Sequence, residues 1–183
     1  MSLSTEVPSL AALPAISYLD ANGALPSELA GKIGVYAIYD RAGTLQLIDY
    51  SRDMSFGLLQ HLVRQPEKCY GVKAHTIARP SRAILEAIRQ AWLAEQETIP
   101  AGNGVDADLW QKPIDVRGAL TPEEEAAFAA AEELGRAKIL KQVARRCQAD
   151  KLEQLKARGL EGGVRFNPKL KEKGLLDLNP VKR

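Results

Sequence analysis

Two β-rich segments joined by a short loop constrain the fold of this chain more than any other feature. Residues 32–39 read Lys-Ile-Gly-Val-Tyr-Ala-Ile-Tyr, and residues 44–50 read Thr-Leu-Gln-Leu-Ile-Asp-Tyr. The connecting residues 40–43, Asp-Arg-Ala-Gly, end in the glycine that short hairpin loops favour. The pattern predicts a β-hairpin and therefore an antiparallel sheet at the centre of the fold.

Three further elements are expected after the hairpin. Asp53 is a good N-cap for a helix that ends near residue 64, and Ser81 is a good N-cap for a helix over residues 81–97. Residues 72–79, which lie between glycine and proline, predict a third strand. The sequence therefore predicts an α/β (α+β) protein with a small three-stranded antiparallel sheet flanked by helices.

The two ends of the chain differ in composition from this centre. Residues 1–30 contain three prolines and predict an N-terminal arm with a helical turn near residues 16–19. Residues 106–120 show no clear period and predict a linker. The sequence Thr-Pro-Glu-Glu at the start of residues 121–159 is a strong helix start, so we expect one long helix there. A basic tail over residues 160–183 follows it.

Composition excludes several classes of protein. Hydrophobic residues make up 45% of the chain and charged residues 26%, which is ordinary for a soluble globular protein. No apolar run approaches the roughly 20 residues that cross a bilayer, and the first thirty residues carry no Lys or Arg, unlike a signal peptide. We expect no membrane association and a cytoplasmic or plastid-stromal location. The two cysteines are not spaced as a metal or redox pair, and two histidines are too few for a histidine-rich metal site.

Positive charge is concentrated at the C-terminal end of the chain. Residues 136–183 carry 14 Lys or Arg and five Asp or Glu, a net charge of +9. This asymmetry indicates an anionic partner for that part, with nucleic acid as the first candidate. The candidate contacts are basic residues on the predicted long helix: Arg136, Lys138, Lys141, Arg145 and Arg146. Binding of a protein partner through this helix, or a solvated surface with no specific role, are the open alternatives.

The order of hairpin, helix, strand and helix over residues 31–105 resembles the GIY-YIG nuclease family. Residues 34–36 read Gly-Val-Tyr where the family has Gly-Ile/Val-Tyr, and Ser-Arg-Asp at residues 51–53 leads into a helix that carries His61 and Leu62. The chain is similar in particular to the GIY-YIG-like domain that precedes a chloroplast monothiol glutaredoxin in plants, and to stand-alone cyanobacterial relatives. The resemblance covers about 75 of the 183 residues.

The resemblance implies hydrolysis of phosphodiester bonds in DNA or RNA with one Mg²⁺ or Mn²⁺ ion. Tyr36 matches the tyrosine that positions the attacking water, Glu95 matches the metal-binding acid, and Asn103 matches an asparagine that follows it. Arg52 lies near the position of the catalytic arginine and would replace it. His61 matches a histidine of the first helix, which would support the site structurally.

Helical spacing gives Glu95 a second reason for attention. Ile84, Ile88 and Ala91 are spaced so that Glu95 lies on the same apolar face of the predicted helix. A carboxylate buried there needs a partner or a metal, because an unpaired buried charge is costly. The alternative is a place at the rim of the core, bonded to an arginine or to solvent. Tyr36 is likewise equally consistent with a plain core aromatic.

Three residues depart from the family pattern. Leu47 stands where the second motif has a catalytic tyrosine, Asp49 where it has glycine, and Gly57 where the catalytic arginine is expected. Removal of one transition-state donor alone costs roughly 10²–10³-fold in rate. Two hypotheses follow: a divergent metal-dependent endonuclease, or a catalytically degenerate domain that serves as a nucleic-acid-binding or protein-docking module. Convergence of the four candidate catalytic residues on one cleft would favour the nuclease. A third possibility, regulation of a redox partner, rests on the glutaredoxin fusion alone.

Overall fold

A computed structural model describes residues 6–180, which form two compact units divided after residue 110. Residues 1–5 of the predicted arm and residues 181–183 of the predicted tail lie outside the described part. The elements before the division are β1 Ile16–Ser17, β2 Ile33–Tyr39, β3 Leu45–Ser51, α1 Met54–Arg64, β4 Gly71–Ile77 and α2 Arg82–Ala94. The short helix α3 Ala107–Gln111 ends at the division. The later elements are β5 Ile114–Asp115, α4 Pro122–Ala130, α5 Glu133–Ala157, α6 Pro168–Lys171 and β6 Leu175–Leu176.

A four-stranded antiparallel sheet in the order β1-β4-β2-β3 forms the centre of the first unit. The α+β class is confirmed, and β2 and β3 form the predicted hairpin. The fourth strand comes from the arm, where Ile16–Ser17 pairs with β4. The helical turn predicted near residues 16–19 is therefore wrong. The free edge of β4 supplies backbone hydrogen-bonding groups that hold this short segment in extended form.

The helices α1 and α2 begin at the predicted capping residues. The Asp53 carboxylate accepts a hydrogen bond from the backbone N–H of Phe56 at 3.3 Å, and the Ser81 hydroxyl accepts one from Ile84 at 3.3 Å. Each cap satisfies one of the backbone donors that a helix leaves unpaired at its start. These local signals fix where both helices enter the fold.

The two faces of the sheet bury different sets of side chains, because successive residues of a strand point to opposite sides. Val35 and Ala37 face α2 and belong to a core cluster with Ile88 and Trp92. Tyr36, between them in sequence, faces the side on which α1 packs and contacts a residue of that helix. The alternation along β2 therefore separates the surroundings of Tyr36 from those of α2.

The N-terminal segment is part of the first unit rather than an appendage. Leu10 is buried in the core cluster on the α2 side, and the indole N–H of Trp92 donates a hydrogen bond to the Pro8 carbonyl at 2.9 Å. Tyr18 is fully buried, and its hydroxyl donates to the Leu58 carbonyl of α1. Both apolar burial and hydrogen bonding therefore hold the arm against the rest of this unit.

The prediction of one continuous helix over residues 121–159 is wrong. α4 starts at the predicted Thr121 capping box, but the chain turns extended at Ala131 and starts again as α5. The Arg136 Nε–H donates to the Phe128 carbonyl at 3.1 Å, and its guanidinium lies 5.2 Å from the centroid of the Phe128 ring. The Phe128 carbonyl thus accepts hydrogen bonds from both the Ala131 N–H and Arg136, and these bonds stabilise the end of α4 at this point.

The segments predicted as a linker and a tail also contain regular structure. β5, from the predicted linker, pairs antiparallel with β6, from the predicted tail. Leu176 and Leu178 of the tail are buried, so apolar contacts accompany the pairing. Within residues 6–180, no helix combines the length and apolar character needed to span a bilayer.

Candidate functional site

Tyr36 is the residue on which any catalytic hypothesis depends, and its side chain is closed to solvent. It is 1% exposed, and its hydroxyl forms a 3.0 Å hydrogen bond with Nε2 of His61 on α1. Burial, and then the charge of Asp49, raise the pKa of Tyr36 well above its ordinary value. The phenol therefore stays protonated at neutral pH and has no access to a water molecule or a substrate in bulk solvent.

Asp49 lies on the same face of the sheet as Tyr36, because the two residues are directly paired across β2 and β3. The Asp49 Oδ2 atom is 3.4 Å from His61 Nε2, and the Asp49 side chain is 17% exposed. The other carboxylate oxygen accepts a hydrogen bond from the backbone N–H of Tyr50. A phenol, an imidazole and a carboxylate thus meet under the hairpin, as a compact polar cluster in an otherwise apolar layer.

The far side of His61 is closed by Trp110. The two ring centroids are 5.6 Å apart, and Trp110 is fully buried. Within residues 6–180, neither His61 Nδ1 nor Trp110 Nε1 has a hydrogen-bond partner, although both are buried. The wall that separates the cluster from solvent on this side is therefore aromatic and offers no open path to the imidazole.

Gly57 explains how the Tyr36 hydroxyl fits against α1. A Cβ atom at position 57 would lie 2.8 Å from the Tyr36 Oη, closer than real Cβ contacts allow, and 3.2 Å from Ser51 Cβ, which is a tight contact. The resemblance places the catalytic arginine at this position, where the tyrosine hydroxyl now takes the space. Leu47, at the position of the second tyrosine, is also fully buried. At both positions, where the resemblance would imply a catalytic side chain, the structure is closely packed.

Glu95 lies on the other side of the sheet, with the core cluster of α2. Its two carboxylate oxygens accept hydrogen bonds from the backbone N–H of Leu10 at 3.1 and 3.0 Å, and one of them also accepts from the Ser9 hydroxyl at 3.2 Å. The carboxylate thus binds the backbone of the N-terminal segment. Of the two alternatives for Glu95, the structure shows the place at the rim of the core. Its partners there are Leu10 and Ser9 rather than an arginine.

Asn103 also has a structural partner. Its side-chain amide donates to the Ile48 carbonyl at 2.8 Å, and its carbonyl oxygen accepts from the Ile48 N–H at 2.8 Å. This pair of bonds imitates one rung of a β-ladder at the edge of β3. Both polar ends of the amide are used, and both bond to backbone.

Arg52 is exposed and lines a small cavity together with Tyr50 and Arg82. Tyr50 is paired with Val35 across the hairpin, so its side chain is on the α2 face, opposite to Tyr36. The structure therefore does not bring the four candidate residues together. Tyr36 meets His61 and Asp49, whereas Arg52, Glu95 and Asn103 each lie in separate surroundings.

A divalent cation does not fit these residues. Both oxygens of Glu95 are engaged by the N-terminal segment, and Tyr36 is on the other face of the sheet. Within residues 6–180, no group of three or more His, Cys, Asp or Glu side chains is placed to hold a metal ion.

The basic residues predicted to contact nucleic acid divide into two groups. Three are engaged within the second unit: Arg136 with Phe128, Lys141 with Glu172 at 3.7 Å, and Arg146 with Glu124 at 2.8 Å. Lys138 and Arg145 are exposed and have no ion-pair partner within residues 6–180. Since they are seven residues apart on α5, they lie on the same side of the helix.

No known family model matches the sequence. The chain is 34% identical over 98 residues to a curated protein of Arabidopsis thaliana, "Bifunctional monothiol glutaredoxin-S16, chloroplastic". The aligned segment covers 49% of this chain and 33% of that protein, so the chain spans about a third of the length of the relative. About half of this chain is thus related to one part of a plant chloroplast glutaredoxin.

Proposed function

We propose that this chain contains a catalytically degenerate GIY-YIG domain that binds nucleic acid without cleaving it. One observation carries the proposal: Tyr36 and Glu95, the two residues that a nuclease would need in one site, lie on opposite faces of the sheet with their polar atoms engaged. The closed packing at Gly57 supports it further, since a side chain there would displace the Tyr36 hydroxyl.

The charge of the second unit supports nucleic acid as the ligand. Residues 111–183 carry 16 Lys or Arg and 11 Asp or Glu, a net charge of +5. Lys138 and Arg145 extend from one side of α5 into solvent, where neither is neutralised by a carboxylate of residues 6–180. Free cations on a basic surface are the usual contacts to backbone phosphates.

Thiol chemistry is the other activity that the relative's name suggests, and the cysteines of this chain do not favour it. Cys69 is buried. Burial raises the pKa of Cys147, so that its thiol is less ionised than an exposed one at neutral pH. Since the thiolate is the reactive form in thiol–disulfide exchange, we infer that this chain does not itself carry a glutaredoxin activity.

Binding of labelled oligonucleotides at several salt concentrations tests the proposal. We expect the logarithm of the affinity to fall linearly with the logarithm of salt concentration, as for contacts to phosphates. The double variant Lys138→Gln/Arg145→Gln should bind about tenfold more weakly. The matched variant Lys156→Gln/Lys169→Gln, which removes two other exposed charges of the same unit, should bind nearly as tightly as the unmodified chain. Absence of binding by the unmodified chain at low salt would overturn the proposal.

A second candidate function, docking of a separate monothiol glutaredoxin, has an observation of its own. Ile99, Val105 and Leu109 are 72%, 93% and 56% exposed. They lie on either side of Asn103, whose two bonds to Ile48 hold this segment against β3. Calorimetric titration with a monothiol glutaredoxin tests this function. Binding that the variant Val105→Ser/Leu109→Ser abolishes would support docking, and no heat of binding would contradict it.

A further inference from the structure

A small cavity lies between the end of β3 and the first turn of α2. Its volume is about 210 Å³, and it is lined by Tyr50, Ser51, Arg52, Arg82 and Leu85. We call it the Tyr50 cavity. Pockets for whole small molecules are typically roughly 300–1,000 Å³. The Tyr50 cavity is smaller, so its size suits one group of an extended ligand better than a complete cofactor.

The Tyr50 cavity is electropositive. Arg52 and Arg82 are exposed, and within residues 6–180 neither has a hydrogen-bond or ion-pair partner. The nearest acid on α2, Glu86, is already paired with Arg89 at 2.7 Å and also accepts from Gln90 at 2.8 Å. Neither guanidinium group at this cavity therefore forms an ion pair with a carboxylate of residues 6–180.

The position of Arg82 adds to this excess of positive charge. Arg82 is the first residue of α2, and the first turn of this helix contains no acid. Basic side chains are unfavourable at a helix N-terminus, where the unpaired backbone N–H groups already carry partial positive charge. An anion held between Arg52 and Arg82 would remove this unfavourable arrangement.

Tyr50 supplies an aromatic surface next to the two arginines. Its ring lines the cavity, and the Arg89 guanidinium lies 5.9 Å from the ring centroid. Arg89 is also bonded to Glu86, which holds its guanidinium beside the ring. An aromatic ring beside cationic groups is the combination by which proteins hold single-stranded nucleic acid, with the base stacked and the phosphate neutralised.

We propose that the Tyr50 cavity binds a backbone phosphate of a single-stranded nucleic acid between Arg52 and Arg82, with an adjoining base stacked on Tyr50. This inference rests on the proposed function and extends it, because it names the strandedness of the ligand and a binding site in the first unit.

Fluorescence anisotropy with a labelled single strand of about 16 nucleotides tests the site in the full chain. The variant Arg52→Gln/Arg82→Gln should bind at least about tenfold more weakly. The slope of its affinity against salt should become shallower by roughly 0.7 for each phosphate that the variant no longer neutralises. The matched control Arg41→Gln/Arg79→Gln removes two exposed charges that do not line the cavity, and should weaken binding about twofold at most. Tyr50→Leu should weaken binding without changing the salt slope.

Side-chain Nε–H NMR signals of the arginines give a second measurement that does not depend on a variant folding. On addition of the single strand, the signals of Arg52 and Arg82 should shift, and that of Arg41 should not. Two further ligands, a nucleoside monophosphate and the matching duplex, should both bind more weakly than the single strand.

The outcomes separate the site from the proposed function. The unmodified chain could bind the single strand while the Arg52→Gln/Arg82→Gln variant binds it as tightly as the control variant does. That result would overturn the phosphate site in the Tyr50 cavity and leave nucleic-acid binding by the chain standing. Duplex or monophosphate affinity equal to that of the single strand would overturn the single-strand assignment. If the unmodified chain binds none of these ligands, the proposed function fails and the inference fails with it.

Discussion

The hydroxyl of Tyr36 lies 3.0 Å from Nε2 of His61, and both side chains are buried between the sheet and α1. A tyrosine that positions water for hydrolysis must present its hydroxyl to solvent and substrate. Here the hydroxyl is instead a buried partner of an imidazole, with a carboxylate nearby. In this chain the Tyr36 hydroxyl therefore contributes to the packing of α1 against the sheet.

Replacement of Tyr36 by Phe should therefore affect stability and leave nucleic-acid binding unchanged. We expect Tyr36→Phe to lower the free energy of unfolding by about 1 kcal/mol near neutral pH, because His61 Nε2 is deprived of a buried partner. Urea denaturation measures the change. Tyr39→Phe is a suitable control, since Tyr39 is only half-buried and its hydroxyl has no hydrogen bond within residues 6–180.

The same variant should change the response to alkaline pH. The pKa of Tyr36 is raised well above 10.0 by burial and then by Asp49, so the folded state keeps a proton that the unfolded state releases. This contribution to stability is fully present below about pH 10 and disappears as pH rises above it. In Tyr36→Phe, this decrease in the free energy of unfolding above about pH 10 should be absent. Tyr39→Phe should remove less, because burial raises the pKa of Tyr39 by a smaller amount.

Gly57→Ala tests the close packing against the same hydroxyl. Alanine favours helix by about 1 kcal/mol over glycine, but its Cβ would lie 2.8 Å from Tyr36 Oη. We expect the clash to prevail and the free energy of unfolding to fall by about 1–2 kcal/mol. In a double-mutant cycle with Tyr36→Phe, the cost of Gly57→Ala should shrink, since the nearest atom is absent. Equal costs in both backgrounds would show that the hydroxyl does not limit this position.

The parts of the fold that sequence predicts well are those set by neighbouring residues. The loop glycine of the hairpin and the caps Asp53 and Ser81 act within a few residues, and the hairpin and both caps are observed. The surroundings of Glu95 could not be predicted in this way. Helical spacing places Glu95 on an apolar face with Ile84, Ile88 and Ala91, and this prediction is wrong, because Glu95, Ile84 and Ala91 are exposed. The helix buries Leu85, Ile88 and Trp92 instead. The partner of Glu95, Leu10, is 85 residues away in the chain.

The Tyr36 cluster has a signal in the sequence. Hairpin pairing, together with the two-residue period of strands, places Asp49 on the face of Tyr36. His61 follows Gly57 by one helical turn, which puts both beside the same hydroxyl. The hairpin register and the spacing along α1 together therefore bring Tyr36, Asp49 and His61 to one place. Asn103 has no such signal, because its partner Ile48 is 55 residues distant.

Glu95 is expected to hold the N-terminal segment in place. In Glu95→Gln, only one oxygen can still accept from Leu10 and Ser9, and the charge that strengthens these bonds is absent. Hydrogen exchange of the Leu10 amide should become about tenfold faster. Glu97→Gln, an exposed neighbour with no hydrogen bond within residues 6–180, is the control and should leave exchange unchanged. Unchanged exchange in Glu95→Gln would contradict the assigned role.

Asn103→Asp tests the bonds at the edge of β3. An aspartate is similar in size and can accept from the Ile48 N–H, but it cannot donate to the Ile48 carbonyl. We expect the free energy of unfolding, measured by denaturant titration, to fall by about 2 kcal/mol. Asn22→Asp, at an exposed position, should change stability by less than about 0.5 kcal/mol. Equal effects of the two variants would be evidence against the structural role of Asn103.

Nicking of supercoiled plasmid in the presence of Mg²⁺ or Mn²⁺ tests most directly whether this domain binds nucleic acid without cleaving it. The unmodified chain and Glu95→Gln should be compared at protein concentrations where oligonucleotide binding is measurable. We expect no metal-dependent nicking by either protein above the background measured without protein. Metal-dependent nicking by the unmodified chain that Glu95→Gln abolishes would contradict this expectation and would establish Glu95 as a catalytic residue.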